Sequence, residues 1–124
     1  MKRALLLLAL CAACAQQDPA LLVTVTGAYR IPQDGDKLSL DVFDGAQVIK
    51  HKDWCAAAVA GCDSLPVAQT LNQTITLVES GASHPHVKIN LELFLGPAVV
   101  GLGTLTVDFQ SGQTVDVSIP LTHP

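Results

Sequence analysis

From Val87 to Leu95 the chain alternates. Val87, Ile89, Leu91, Leu93 and Leu95 are aliphatic, and Lys88, Asn90 and Glu92 stand between them. Thr114–Leu121 repeats the pattern, with Val115, Val117, Ile119 and Leu121 set against Thr114, Asp116 and Ser118, and Lys37–Val42 is a shorter copy. Successive side chains of a strand point to opposite faces, so period two sends one set to a core and the other to water. On a helix the same residues would scatter charge on every side. Four further segments, Leu21–Thr26, Gln47–Lys50, Thr74–Val78 and Val99–Phe109, are rich in β-branched residues. The pattern predicts about seven strands and no internal repeat. Ala56–Ala60 has the residues for one helical turn, too short to hold alone.

Turn residues separate these segments: Pro32–Asp36, Asp44-Gly45, Ser80-Gly81, Gly96-Pro97 and Ser111-Gly112. Asp44-Gly45 is a hairpin signal between two strands, and Ser111-Gly112 is expected to join the last two strands in the same way. Short strands with one apolar face in about 100 residues describe an all-β, antiparallel two-sheet sandwich over residues 20–124. A buried parallel sheet would need strands apolar throughout. The pattern resembles immunoglobulin-like and transthyretin-like modules, although Cys55 and Cys62 are too close in sequence to bridge facing sheets. Leu21–Thr26 or Val115–Ile119 is the expected sheet edge, and an unprotected edge can pair with a partner's strand.

The N-terminus has a different pattern. Lys2 and Arg3 precede an uncharged apolar run, Ala4–Ala13, which is followed by small residues. This is the order of a secretory signal, and the run is well short of the about 20 residues that span a bilayer. Cys11-Ala12-Ala13-Cys14 resembles the lipobox of bacterial lipoproteins, with Cys11 where that family has Leu. The resemblance implies a signal peptide over residues 1–13, acylation of Cys14, and a short tether over residues 14–19. Ala15, in place of the Asp that retains lipoproteins at the inner membrane, implies the outer membrane. Ala13-Cys14-Ala15 also fits ordinary signal peptidase, which would release a soluble chain at Gln16. Either cut leaves Cys55 and Cys62 as an even pair, the expectation for an oxidising compartment.

Charge and composition narrow the classes of function. The 124 residues carry 11 Asp+Glu against 7 Lys+Arg, a formal charge of −4, and the hydrophobic share is 49%. Loss of Lys2 and Arg3 takes the charge to −6. That balance argues against a nucleic-acid partner, and the apolar share against a disordered chain. With five aromatic residues, the core is mostly Val, Leu and Ile.

Cys55–Cys62 is expected to close a small loop by a disulfide, beside Trp54. That loop either caps one end of the sandwich or presents an apolar knob. His84-Pro85-His86 has metal-like spacing, since residues i and i+2 of a strand share a face. The third ligand would have to be His51 or His123. The motif is also similar to that of copper-zinc superoxide dismutases, but their later His and Asp ligands are missing, so the reading is an exposed turn and no bound metal. Asp34-Gly35-Asp36 and Asp41…Asp44-Gly45 lack the ligand spacing of a calcium loop and read as turns. No nucleophile elbow and no phosphate-binding glycine loop is present.

These readings converge on a non-enzymatic envelope lipoprotein that acts as a structural or interaction module, with no cofactor and the membrane as partner through its lipid anchor. The alternatives are a secreted or anchored small binding protein for sugar, peptide or metal, and an inhibitor-like module built on the disulfide loop.

Overall fold

The computed structural model describes residues 18–79 and 86–124, all strand, turn and loop. The strands are β1 (Ala20–Ile31), β2 (Lys37–Asp44), β3 (Gln47–Cys55), β4 (Asp63–Ser64), β5 (Gln69–Val78), β6 (His86–Leu95), β7 (Ala98–Asp108) and β8 (Thr114–Pro120). They form a three-stranded sheet, β5-β1-β8, and a five-stranded sheet, β4-β3-β2-β6-β7. The protein is an all-β sandwich. Its eighth strand, β4, is two residues long and leaves no period-two signature to read.

Alternation fixes which faces meet. Leu21, Val23 and Val25 of β1, Leu38 and Leu40 of β2, and Ile89, Leu91 and Leu93 of β6 are buried to within 1%. They form one core cluster with Trp54, Leu71, Ile75, Leu77, Val87 and Ile119. Sandwich cores of this kind are held mainly by such burial, at roughly 1.5–3 kcal/mol per side chain. Tyr29 adds a polar tie between the layers: its hydroxyl donates to the Val100 carbonyl at 3.0 Å.

Three expectations need correction. Not every pair is antiparallel: β1 runs parallel to β8, and β3 parallel to β4. Ser111-Gly112 does not close a hairpin, because β7 and β8 lie in different sheets and the turn carries the chain from one layer to the other. Turn chemistry is local and is the same for either outcome. Leu21–Thr26 is not an edge, because β1 sits between β5 and β8, whereas Val115–Ile119 on β8 does lie at one. The Asp44-Gly45 hairpin is present, with Asp44 opposite Gln47 and Gly45 at φ 60°.

Candidate functional site

Polar side chains gather on the outer face of the β2–β3 hairpin. Ser39 pairs with Asp53 across the strands, and Asp41 with His51. Cross-strand partners share a face, so all four side chains emerge together. His51 lies between two carboxylates, with Nδ1 2.6 Å from Asp41 Oδ1 and Nε2 3.1 Å from Asp53 Oδ2. The other Asp53 oxygen accepts from the Ser39 hydroxyl, and Lys37 Nζ lies 4.0 Å from Asp53 Oδ2.

An imidazole can donate from both nitrogens only when protonated. The hydrogen bond to Asp41, then that to Asp53, raises the His51 pKa above 6.5. Burial pushes Asp53 upward, but the Ser39 hydroxyl and His51 outweigh it and hold the carboxyl below its ordinary value. The signs for stability differ. The His51 contribution is fully present below about pH 6.5 and is lost as pH rises through the raised folded value. That of Asp53 is present above about pH 3.9 and is lost as pH falls through its lowered folded value. We expect a proton-NMR titration of His51 with a midpoint above 6.5, and a melting temperature that declines on the alkaline side of it. His51→Asn is expected to flatten that decline; an unchanged slope would refute the assignment.

The other histidines lie elsewhere. His86 begins β6 opposite Asp108, and its Nδ1 donates to Asp108 Oδ1 at 2.5 Å. That hydrogen bond raises its pKa above 6.5. His123 places its ring edge-on to Tyr29, 5.6 Å between centroids, with Nδ1 3.2 Å from the Val100 carbonyl. His84 and the Ser80-Gly81 turn lie outside the described residues, as does Cys14. Among the described residues no group of three or more His, Cys, Asp or Glu side chains is arranged to hold a metal ion. Three acids of the calcium-like segments bind main chain or His51, Asp41 being the one on His51. Asp34 accepts from the Arg30 N–H at 2.8 Å, and Asp36 accepts from the Gly96 N–H.

Cys55 and Cys62 form a disulfide with their Cα atoms 5.8 Å apart. The loop is partly cap and partly knob. Trp54 and Leu65 are buried at its base, while Ala57–Gly61 stand in solvent and Val59 is 57% exposed. Lys52 lies over the Trp54 ring at 5.4 Å and ion-pairs with Asp63 at 2.8 Å, holding this end of the sheet together.

Sequence reasoning named His51 only as a histidine and missed its neighbours. The Asp41/His51/Asp53 grouping depends on strand register, which carries no motif. Compared with family models, with curated proteins and with solved structures, the chain matches none.

Proposed function

We propose that the chain is an envelope-anchored lipoprotein whose sandwich works by surface contact, as a structural or protein-interaction module, rather than by catalysis. The observation that carries this reading is the order at the N-terminus: two basic residues, an uncharged run, then Cys11-Ala12-Ala13-Cys14, and the first strand beginning at Ala20. Two or more acyl chains on Cys14 would hold the protein stably, at roughly 0.8 kcal/mol per buried methylene. Ala15–Pro19, fully extended, reaches less than about 20 Å, so the domain sits beside the bilayer. The Cys55–Cys62 disulfide supports an oxidising compartment. Ala15 after the acylated residue favours the outer membrane, on the lipoprotein resemblance.

The test is the intact mass of the processed protein. Acylation adds on the order of several hundred daltons to the polypeptide that begins at Cys14. We expect Cys14→Ser to lack that mass and to leave the membrane fraction. An unmodified N-terminus at Gln16 would overturn the anchor and place the protein among secreted binding proteins.

A further inference from the structure

The two long sides of the sandwich are finished differently. On one side, β3 turns Lys50 and Lys52 toward the core layer, since they pair with Val42 and Leu40, and β4 and the disulfide loop continue past it. Inward charge of this kind protects an edge from further pairing. Across from it, the interior aliphatic residues of β5, Leu71, Ile75 and Leu77, are exposed by 6% or less.

The other side is formed by β7 and β8, each the last strand of its sheet. Their interior-facing residues, Leu105 and Val107 on β7 and Val115 and Val117 on β8, pack against the core yet remain only partly buried. The layers pinch together at one end. A Cβ on Gly103 would lie 2.7 Å from Ile119 Cγ2 and from Leu121 Cδ2, and Leu102 exchanges both main-chain hydrogen bonds with Thr122. At the other end the Phe109–Gln113 connection joins the sheets. Between these closures the seam has no inward charge among the described residues.

Main-chain groups along the β8 lip point away from the sheet. The Gln113 carbonyl accepts from Ala20 N–H, and the Leu121 N–H donates to Thr26, so the odd-numbered residues between them face β1. A strand's main-chain groups alternate sides, which leaves those of Thr114, Asp116 and Ser118 facing outward. Pro120, the next outward position, has no N–H to offer and ends the row.

Charge selects the occupant. Residues 89–124 contain no Lys or Arg, and the two strands bordering the seam carry Asp108 and Asp116. Asp108 is held by His86, while Asp116 lies on the solvent face of β8 amid Thr114 and Ser118. A second copy pairing β8 with β8 would bring one Asp116 near the other, which is unfavourable.

We propose that the β8 edge is a docking site for an extended segment of a partner protein in which aliphatic residues alternate with Lys or Arg. The segment adds a fourth strand to the three-stranded sheet. Its aliphatic side chains cover Val115, Val117, Leu105 and Val107, and a basic side chain on its other face meets Asp116. Strand addition draws affinity from main-chain hydrogen bonds and specificity from alternate side chains. This assignment rests on the interaction-module reading and supplies its surface.

The experiment uses the processed full protein and two short fluorescent peptides, one alternating Val with Lys and one alternating Val with Glu. We expect the Lys peptide to bind about tenfold more tightly than the Glu peptide. It should also slow amide exchange at Thr114, Asp116 and Ser118. Asp116→Lys, a solvent-face change that leaves the core intact, is expected to reverse the preference. Val117→Lys, which puts a charge into the seam, is expected to abolish binding of both. Binding of neither peptide, equal binding of both, or protection at β5 instead of β8 would overturn the proposal. So would a dimer by sedimentation that Asp116→Lys alters, since it assigns the edge to a second copy. Peptide binding and the Cys14 mass are read separately, so loss of the docking site and loss of the anchor are distinguishable.

Discussion

Truncation of Leu93 to alanine is expected to lower the unfolding free energy by about 2–5 kcal/mol, a large part of the stability of a domain this size. Leu93 is fully buried on β6, the strand between β2 and β7. It pairs with Leu38 on one side and Gly101 on the other. The turn after β1 closes over it: a Cβ on Gly35 would come within 2.6 Å of Leu93 Cγ and Cδ2. Main chain rather than flexible side chain therefore lines that part of its surroundings. That turn is pinned by main-chain hydrogen bonds, Asp34 N–H to the Arg30 carbonyl and Asp36 N–H to the Phe94 carbonyl, both 2.7 Å, so it relaxes little into a void, which puts the loss toward the upper part of the range. Urea unfolding followed by fluorescence of the buried Trp54 measures the effect. Leu95→Ala on the same strand is the control; Leu95 is 40% exposed, and its truncation is expected to change stability by no more than about 0.5 kcal/mol. Comparable losses for the two variants would mean that Leu93 does not close the core.

That contrast also shows how far periodicity reads. Alternation assigned Val87, Ile89, Leu91 and Leu93 to the core, and all four are there. It assigned Leu95 to the same face, where the structure leaves it in solvent. The β6–β7 register shifts between Leu93 and Phe94, just before the Gly96 turn, and the pattern ends there. On β3 the opposite happened. The strand was legible only from Gln47 to Lys50, yet it runs on to Cys55. Lys50 and Lys52 occupy interior-side positions where β3 reaches beyond the narrower sheet, so its polarity does not alternate. The parallel pairing of β1 with β8 was not legible because an apolar face fits either layer equally well.

The histidine cluster illustrates the same limit at finer scale. Counted regularly back from the hairpin, with Asp44 opposite Gln47, Asp41 would face Lys50 and His51 would face Leu40. A register shift between Val42 and Phe43 moves the pairing by one, so Asp41 meets His51 and Ser39 meets Asp53. One inserted residue thus turns His51 from the core side to the outer face, between two acids. Nothing in the local composition announces that shift. The Cys55–Cys62 pair was readable because its constraint is covalent and nearly local.

Replacing both Cys55 and Cys62 by serine is expected to destabilise the protein by about 2.5 kcal/mol, the chain-entropy value for a loop of this length. In a domain of this size the corresponding fall in melting temperature is about 10–20 °C. The loss should be uneven. β4 pairs with β3 at only two positions, Trp54 with Asp63 and Cys55 with Ser64, and beside them are the exposed Lys52–Asp63 ion pair and the buried Leu65. Exposed ion pairs contribute about 0–1 kcal/mol, too little to order a two-residue strand against its chain entropy. With the crosslink gone, the Leu65 N–H that donates to the Cys55 carbonyl at 2.9 Å should exchange quickly, while amides of β1, β2 and β6 keep their protection relative to global unfolding. Wild-type protein treated with a reductant should reproduce both effects. If the double serine variant melts with the wild type and Leu65 stays protected, the loop is held by Trp54 and Leu65 packing instead, and the crosslink contributes nothing to stability.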